Sequence, residues 1–116
     1  MTAIEAALGL EMDHKRKLRP KPDPHPKRSA AERVAARIGG ALADAKAVRD
    51  YKDLFELRSG FVHGRAVLPK ISMAQRVLAR NLARRVACRL VELAVHPARS
   101  RVDVLAALLD QGISYL

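Results

Sequence analysis

A chain of 116 residues with 22 Lys and Arg against 12 Asp and Glu carries a formal charge of +10 and a single cysteine, Cys88. That cysteine count excludes an internal disulfide and a multi-cysteine metal centre. With no membrane-length apolar run and no leader-like segment, the sequence reads as a non-membrane protein whose default location is the cytoplasm.

Apolar residues make up 49%, yet aromatics are only 3% and Trp is absent. The apolar weight therefore falls on Ala, Leu and Val, which together with Arg favour helix over sheet. The length suits one domain with a modest core. The basic excess suits a polyanion such as RNA or DNA, though an arginine-rich solvated surface accounts for it equally well.

Taken in chain order, residues 2–12 predict a short helix, with Ile4, Ala7, Leu8 and Met12 near one face. So short a helix must dock on something. Residues 13–28 predict an extended or mobile loop. Pro20, Pro22, Pro24 and Pro26 recur at every second position, where each removes a backbone donor and restrains its predecessor. Lys15, Arg16, Lys17, Arg19, Lys21, Lys27 and Arg28 crowd this loop against Asp23. It reads either as an arm for nucleic-acid phosphate or as a solvated loop. His14 and His25 lie in it without metal-like partners, so both are expected in solvent.

Ser29-Ala30-Ala31-Glu32 fits a capping box that opens the next helix. Val34, Ile38 and Leu42 then recur at four-residue spacing until Gly39-Gly40 weakens the pattern. A turn is expected between residues 39 and 44, with Asp44 capping a new helix; one long helix is the alternative. Ala45–Val62 predicts the central core helix, because Tyr51, Phe55 and Phe61 all lie on it. Gly64 suits its C-terminus and Pro69 the loop beyond.

Residues 71–95 give the longest helical pattern. Leu78, Leu82, Val86, Leu90 and Leu93 form its apolar stripe, Cys88 reads as a buried small residue, and Arg76, Arg80 and Arg84 line another face. His96-Pro97 ends it. Ser100 caps a last helix that Gly112 closes. The expected architecture is an all-α, compact helical bundle of four to five helices in a single domain.

Arg58 and His63 are the candidate chemistry. Arginine presents a permanent planar fork suited to phosphate oxygens, and histidine exchanges a proton near neutral pH. Five residues on an ideal helix turn about 140°. The pair therefore meets at one phosphate only if the helix bends or ends near Gly60, or if two copies face each other across a two-fold axis. Structural uses compete: Arg58 could pair with Asp53 or Glu56, and His63 could cap a helix C-terminus.

The string Leu57-Arg58-Ser59-Gly60-Phe61-Val62-His63-Gly64 resembles the arginine-four-residues-histidine signature of the HEPN superfamily. It is most similar to the Apea-like branch, where an Arg-Ser dipeptide is followed by Val-His-Gly. The resemblance covers roughly residues 30–110, more weakly the first 12, and implies a domain shortened at its N-terminus. It further implies a helical bundle that dimerises through the motif helices and, in active members, metal-independent RNA cleavage through attack by the 2′-hydroxyl. His63 would then be the acid or base, Arg58 would hold the scissile phosphate, and Ser59 would stand where active nucleases often carry Asn, Asp or His. Arg65 replaces the tyrosine of one toxin branch.

The expectation is a HEPN-like RNase, or an RNA-binding domain derived from one, in a defence or stress system. Arg58, Ser59 and His63 would be catalytic, and Lys15, Arg16, Lys17, Arg19, Arg65, Arg76 and Arg80 would meet nucleic acid. No cofactor is expected. RNA, a second copy and a regulatory protein are the expected partners. A non-catalytic helical interaction module, or a general nucleic-acid binder using the basic arm, are the alternatives.

Overall fold

Ser29 starts the helix on which the others assemble. Its backbone is extended (φ −70°, ψ 168°), its hydroxyl accepts from the Glu32 N–H at 3.2 Å, and Glu32 accepts in return from the Ser29 N–H. This reciprocal box satisfies donors that a helix start leaves open. In the computed structural model, which describes residues 2–19, 25–62, 72–93 and 100–116 (backbone alone for residues 2, 3, 16 and 58–62), five α-helices form and no strand is present among the described residues. They are α1 (Thr2–Leu8), α2 (Ala30–Leu42), α3 (Ala45–Val62), α4 (Met73–Leu93) and α5 (Arg101–Gly112), with 3₁₀ turns at Glu11–Asp13, Arg16–Leu18 and Ile113–Tyr115. The all-α bundle matches the expected class.

The expected turn between residues 39 and 44 is present, but the two glycines do not make it. Helix α2 runs through both and ends at Leu42. Ala43 then turns the chain with φ 51° and donates its N–H to Gly39 O at 2.8 Å. Gly40 instead lets α5 come close. A Cβ there would lie 2.2 Å from Leu108 O, and one at Gly112 would lie 1.5 Å from Ala36 O. Two bare backbones thus face each other where α2 crosses α5, and both glycines serve helix packing.

The centre of the core is α2, a correction to the expectation that α3 holds it. Val34, Ala35, Ala36, Ile38 and Ala41 are buried on α2, because its small residues let α5 approach on one side and α3 and α4 on another. From α3 come Ala47, Val48, Tyr51 and Leu54, with the Phe55 ring 6.2 Å from that of Tyr51 and only partly buried. Leu82 and Val86 enter from α4, and Leu105, Leu108 and Leu109 from α5. Cys88 is exposed, contrary to expectation. Two residues past Val86, about 200° around the axis, it points away from the stripe.

The first helix docks as its length requires, with Ile4 and Leu8 fully buried. It stops at Leu8 rather than reaching Met12, and two arginines from elsewhere close its end. Arg37 Nη1 donates to Leu8 O at 2.8 Å, and Arg101 Nη2 reaches Ala6 O, Ala7 O and Gly9 O at 2.9–3.2 Å. Cations at a helix C-terminus satisfy orphan carbonyls and suit the dipole.

Candidate nucleic-acid interface

The basic N-terminal segment is more ordered by its own contacts than an extended, solvated loop would be. Asp13 is buried, and its carboxylate takes two hydrogen bonds from the Arg37 guanidinium, at 2.6 and 2.8 Å, and one from the Leu10 N–H at 2.9 Å. Arg19 folds back to donate to Met12 O and Asp13 O at 2.8 and 2.7 Å. Arg33, also buried, donates to Arg28 O and His25 O. His25 is not in open solvent: its Nε2 lies 2.7 Å from Asp110 Oδ1, which ties the segment to α5. His14 is exposed as expected. Residues 20–24, with Pro20, Pro22 and Pro24, lie outside the described residues.

These contacts set the local electrostatics. Burial pushes the Asp13 carboxyl up, but the Arg37 hydrogen bonds, the Leu10 N–H and the Arg37 and Arg33 charges outweigh it and hold Asp13 below the usual carboxylate range. Asp44, which caps α3 through the Lys46 and Ala47 N–H groups, is lowered by its 3.0 Å bond from Arg85 and by those caps. Glu32 is lowered by Arg28, then by its capping bonds to Ser29.

Of the residues expected to meet nucleic acid, three are exposed with no ion pair among the described residues: Lys17, Arg76 and Arg80. Lys15 is exposed and bridges Glu11 at 2.8 Å. The guanidinium of Arg19 is engaged by the carbonyls named above. The Arg16 side chain and all of Arg65 lie outside the described residues.

The arginines of α4 separate into two groups. Arg85 and Arg89 turn back toward the bundle, to Asp44 and to Ala41 O. Arg76, Arg80 and Arg84 recur one turn apart and stay exposed. Ser72 and Gln75 cap the start of this helix reciprocally, at 3.1 and 2.8 Å. The basic face therefore begins on a fixed helical end.

Of the expected catalytic pair, only the Arg58 backbone falls within the described residues, in α3. The helix does not stop at Gly60; it continues to Val62. Arg58 and Ser59 belong to its last turns by backbone, while their side chains, and His63 entirely, lie outside the described residues. Gly64 and Pro69 also fall outside them.

Sequence reasoning missed Arg33, Arg37, Asp13 and Arg101 as structural groups. The available signal was position: Arg37 falls between Val34, Ile38 and Ala41, on the apolar side of its helix. No cluster of three or more His, Cys, Asp or Glu able to hold a metal occurs among the described residues. No helix among them is long and apolar enough to cross a membrane. Comparison with protein-family models, with curated proteins and with solved structures finds no match in any of the three.

Proposed function

We propose that this chain is a HEPN-type endoribonuclease domain that cleaves RNA without a metal. The observation that supports the reading is the backbone of Arg58 in the last turns described for α3, with His63 the next residue in sequence after Val62, in an all-α bundle whose next helix carries exposed arginines.

Because α3 persists to Val62, the site is best assembled from two copies. The two-fold axis would bring two α3 ends together around one phosphate. His63 then takes the proton from the ribose 2′-hydroxyl. The 2′-oxygen bonds to phosphorus, the bond from phosphorus to the 5′-oxygen breaks, and the leaving oxygen takes a proton from the second histidine. The ends left are a 2′,3′-cyclic phosphate and a 5′-hydroxyl. Arg58 holds the phosphate and meets the charge that develops on it, with Ser59 as a hydrogen-bonding neighbour. Lys17 and Arg76, exposed and unpaired among the described residues, are available to flanking phosphates.

The test is cleavage of single-stranded RNA by the purified chain in EDTA. Cutting that leaves cyclic phosphate ends, and that His63→Ala abolishes with the helical spectrum intact, supports the reading. Cutting that survives the substitution removes His63 from the chemistry.

A further inference from the structure

The outward side of α4 is not only basic. Met73, Val77 and Val91 are 72%, 44% and 70% exposed. They fall into one seam with Arg80, Arg84 and Ala87, all exposed, in steps of four, three, four, three and four residues. That alternation is the 3.5-residue spacing at which one helix meets another along its length. The seam runs about 27 Å at 1.5 Å per residue. It lies opposite the stripe of Leu82 and Val86 that faces the core. One helix thus has two apolar faces, and among the described residues only the inner one packs against the bundle.

The charges select the occupant. Arg80 and Arg84 sit at the middle of the seam, one turn apart, with no carboxylate partner among the described residues. The only acid on α4 is Glu92, which Arg89 already takes at 2.8 Å. A second copy of the chain fits badly. Laid antiparallel it sets Arg80 against Arg84 and laid parallel it sets like on like, so either way four guanidiniums share one seam. The undescribed stretches 20–24, 63–71 and 94–99 contain one carboxylate between them, Asp23. None of them can supply two carboxylates one turn apart. RNA would suit the arginines but leave Met73, Val77 and Val91 uncovered.

We propose that this face docks an acidic amphipathic helix of a partner protein. The apolar seam of that helix would cover Met73, Val77 and Val91, and two carboxylates one turn apart would meet Arg80 and Arg84. Arg80, expected from the sequence to contact nucleic acid, is thereby assigned to a protein partner. The inference takes Arg80 and Arg84 from the exposed arginines of α4 but none of Arg58, Ser59 or His63, so the cleavage step holds or fails apart from it.

The full chain can be titrated against two labelled synthetic helical peptides of about three heptads. Both carry leucines along the seam; one has Glu and the other Lys at the two central seam positions. The Glu peptide should bind at least roughly tenfold more tightly, and Arg80→Glu with Arg84→Glu should reverse the preference. Val91→Asp, outside the charged centre, should weaken the Glu peptide while the helical spectrum stays unchanged. Equal binding of the two peptides, or none, overturns the proposal. So does a chain dimer that Val91→Asp dissociates. A labelled single-stranded oligoribonucleotide that loses binding in the double arginine variant, with no competition from the Glu peptide, overturns it in favour of RNA.

Discussion

Asp13 and Arg37 form a two-point ion pair, Nη1 to Oδ2 at 2.6 Å and Nη2 to Oδ1 at 2.8 Å, with both side chains 1% exposed. It joins the segment after α1 to the most buried helix. The same guanidinium caps α1 through Leu8 O. Its Nε has no partner among the described residues. A buried pair of this kind is weak evidence of net stability, but losing one member leaves the other charge stranded. Arg37→Ala or Asp13→Ala should each destabilise the chain by about 3–5 kcal/mol, whereas an apolar pair of matched volume should come much nearer neutral. Urea unfolding of the two singles and the double closes the cycle. Singles that each lose less than about 1 kcal/mol would mean that water reaches the pair.

Acid should act on the same contact. Asp13 is held below the ordinary carboxylate range when folded. The unfolded chain therefore binds its proton first as pH falls. The stabilisation is complete above the unfolded value, about 3.9, and disappears as pH drops through the lower folded one. Glu32 and Asp44 are shifted the same way from partly exposed positions, where solvent screening makes them weaker contributors. The melting temperature should be level from neutrality to about pH 4 and then fall steeply. Asp13→Asn should lower the plateau and flatten the fall. A fall of unchanged steepness would assign acid sensitivity to other carboxylates.

Backbone geometry sets a pair of opposite expectations. Ala43 holds φ 51° at the end of α2, a conformation that glycine adopts without its Cβ penalty. Ala43→Gly should stabilise by roughly 0.5–1 kcal/mol. Gly112→Ala puts a Cβ 1.5 Å from Ala36 O and 2.6 Å from Gly40 N. Backbone on both sides cannot yield as a flexible side chain would, so the loss should reach at least about 1–3 kcal/mol. Thermal melts of the two variants should move in opposite directions. A Gly112→Ala protein as stable as the parent would mean that α5 sits farther from α2.

These glycines mark where local reading stops. Helix starts were legible because a cap lies within a few residues of its partner: Ser29 with Glu32, Asp44 with the Ala47 N–H, Ser100 with the Asp103 N–H. The same logic counts Gly39 and Gly40 as helix-weakening, and it cannot register a second helix that approaches from about 70 residues away in the chain, where the absence of a Cβ is an advantage. Arg37 poses the same problem in charge. Its carboxylate lies 24 residues back, so a cation on an apolar face gives only a hint of burial. Tyr51 and Phe55 drew the expected centre to α3, yet small residues decide the matter, since Ala35 and Ala36 leave room for neighbours on two sides of α2. Of the candidate site, the string at the end of α3 was legible as a motif. In the reading proposed above that string works only with a second copy of the chain, which no single sequence displays.

That dependence can be measured directly. If the cleavage site is shared between two copies, Arg58→Ala and His63→Ala disable it in different ways, and a mixed dimer still brings one intact Arg58 and one intact His63 to the phosphate. Each variant alone should be inactive on single-stranded RNA. Mixed, unfolded and refolded together, they should recover a fraction of the parent rate, because one proton-transfer group and one phosphate clamp remain of each pair. If both groups act within one copy, no chain in the mixture carries a complete set, and the refolded mixture should be as silent as its parts. Two silent variants that restore each other would establish the shared site; a silent mixture whose sedimentation shows mixed dimers would mean that cleavage needs either both histidines or both groups from one chain.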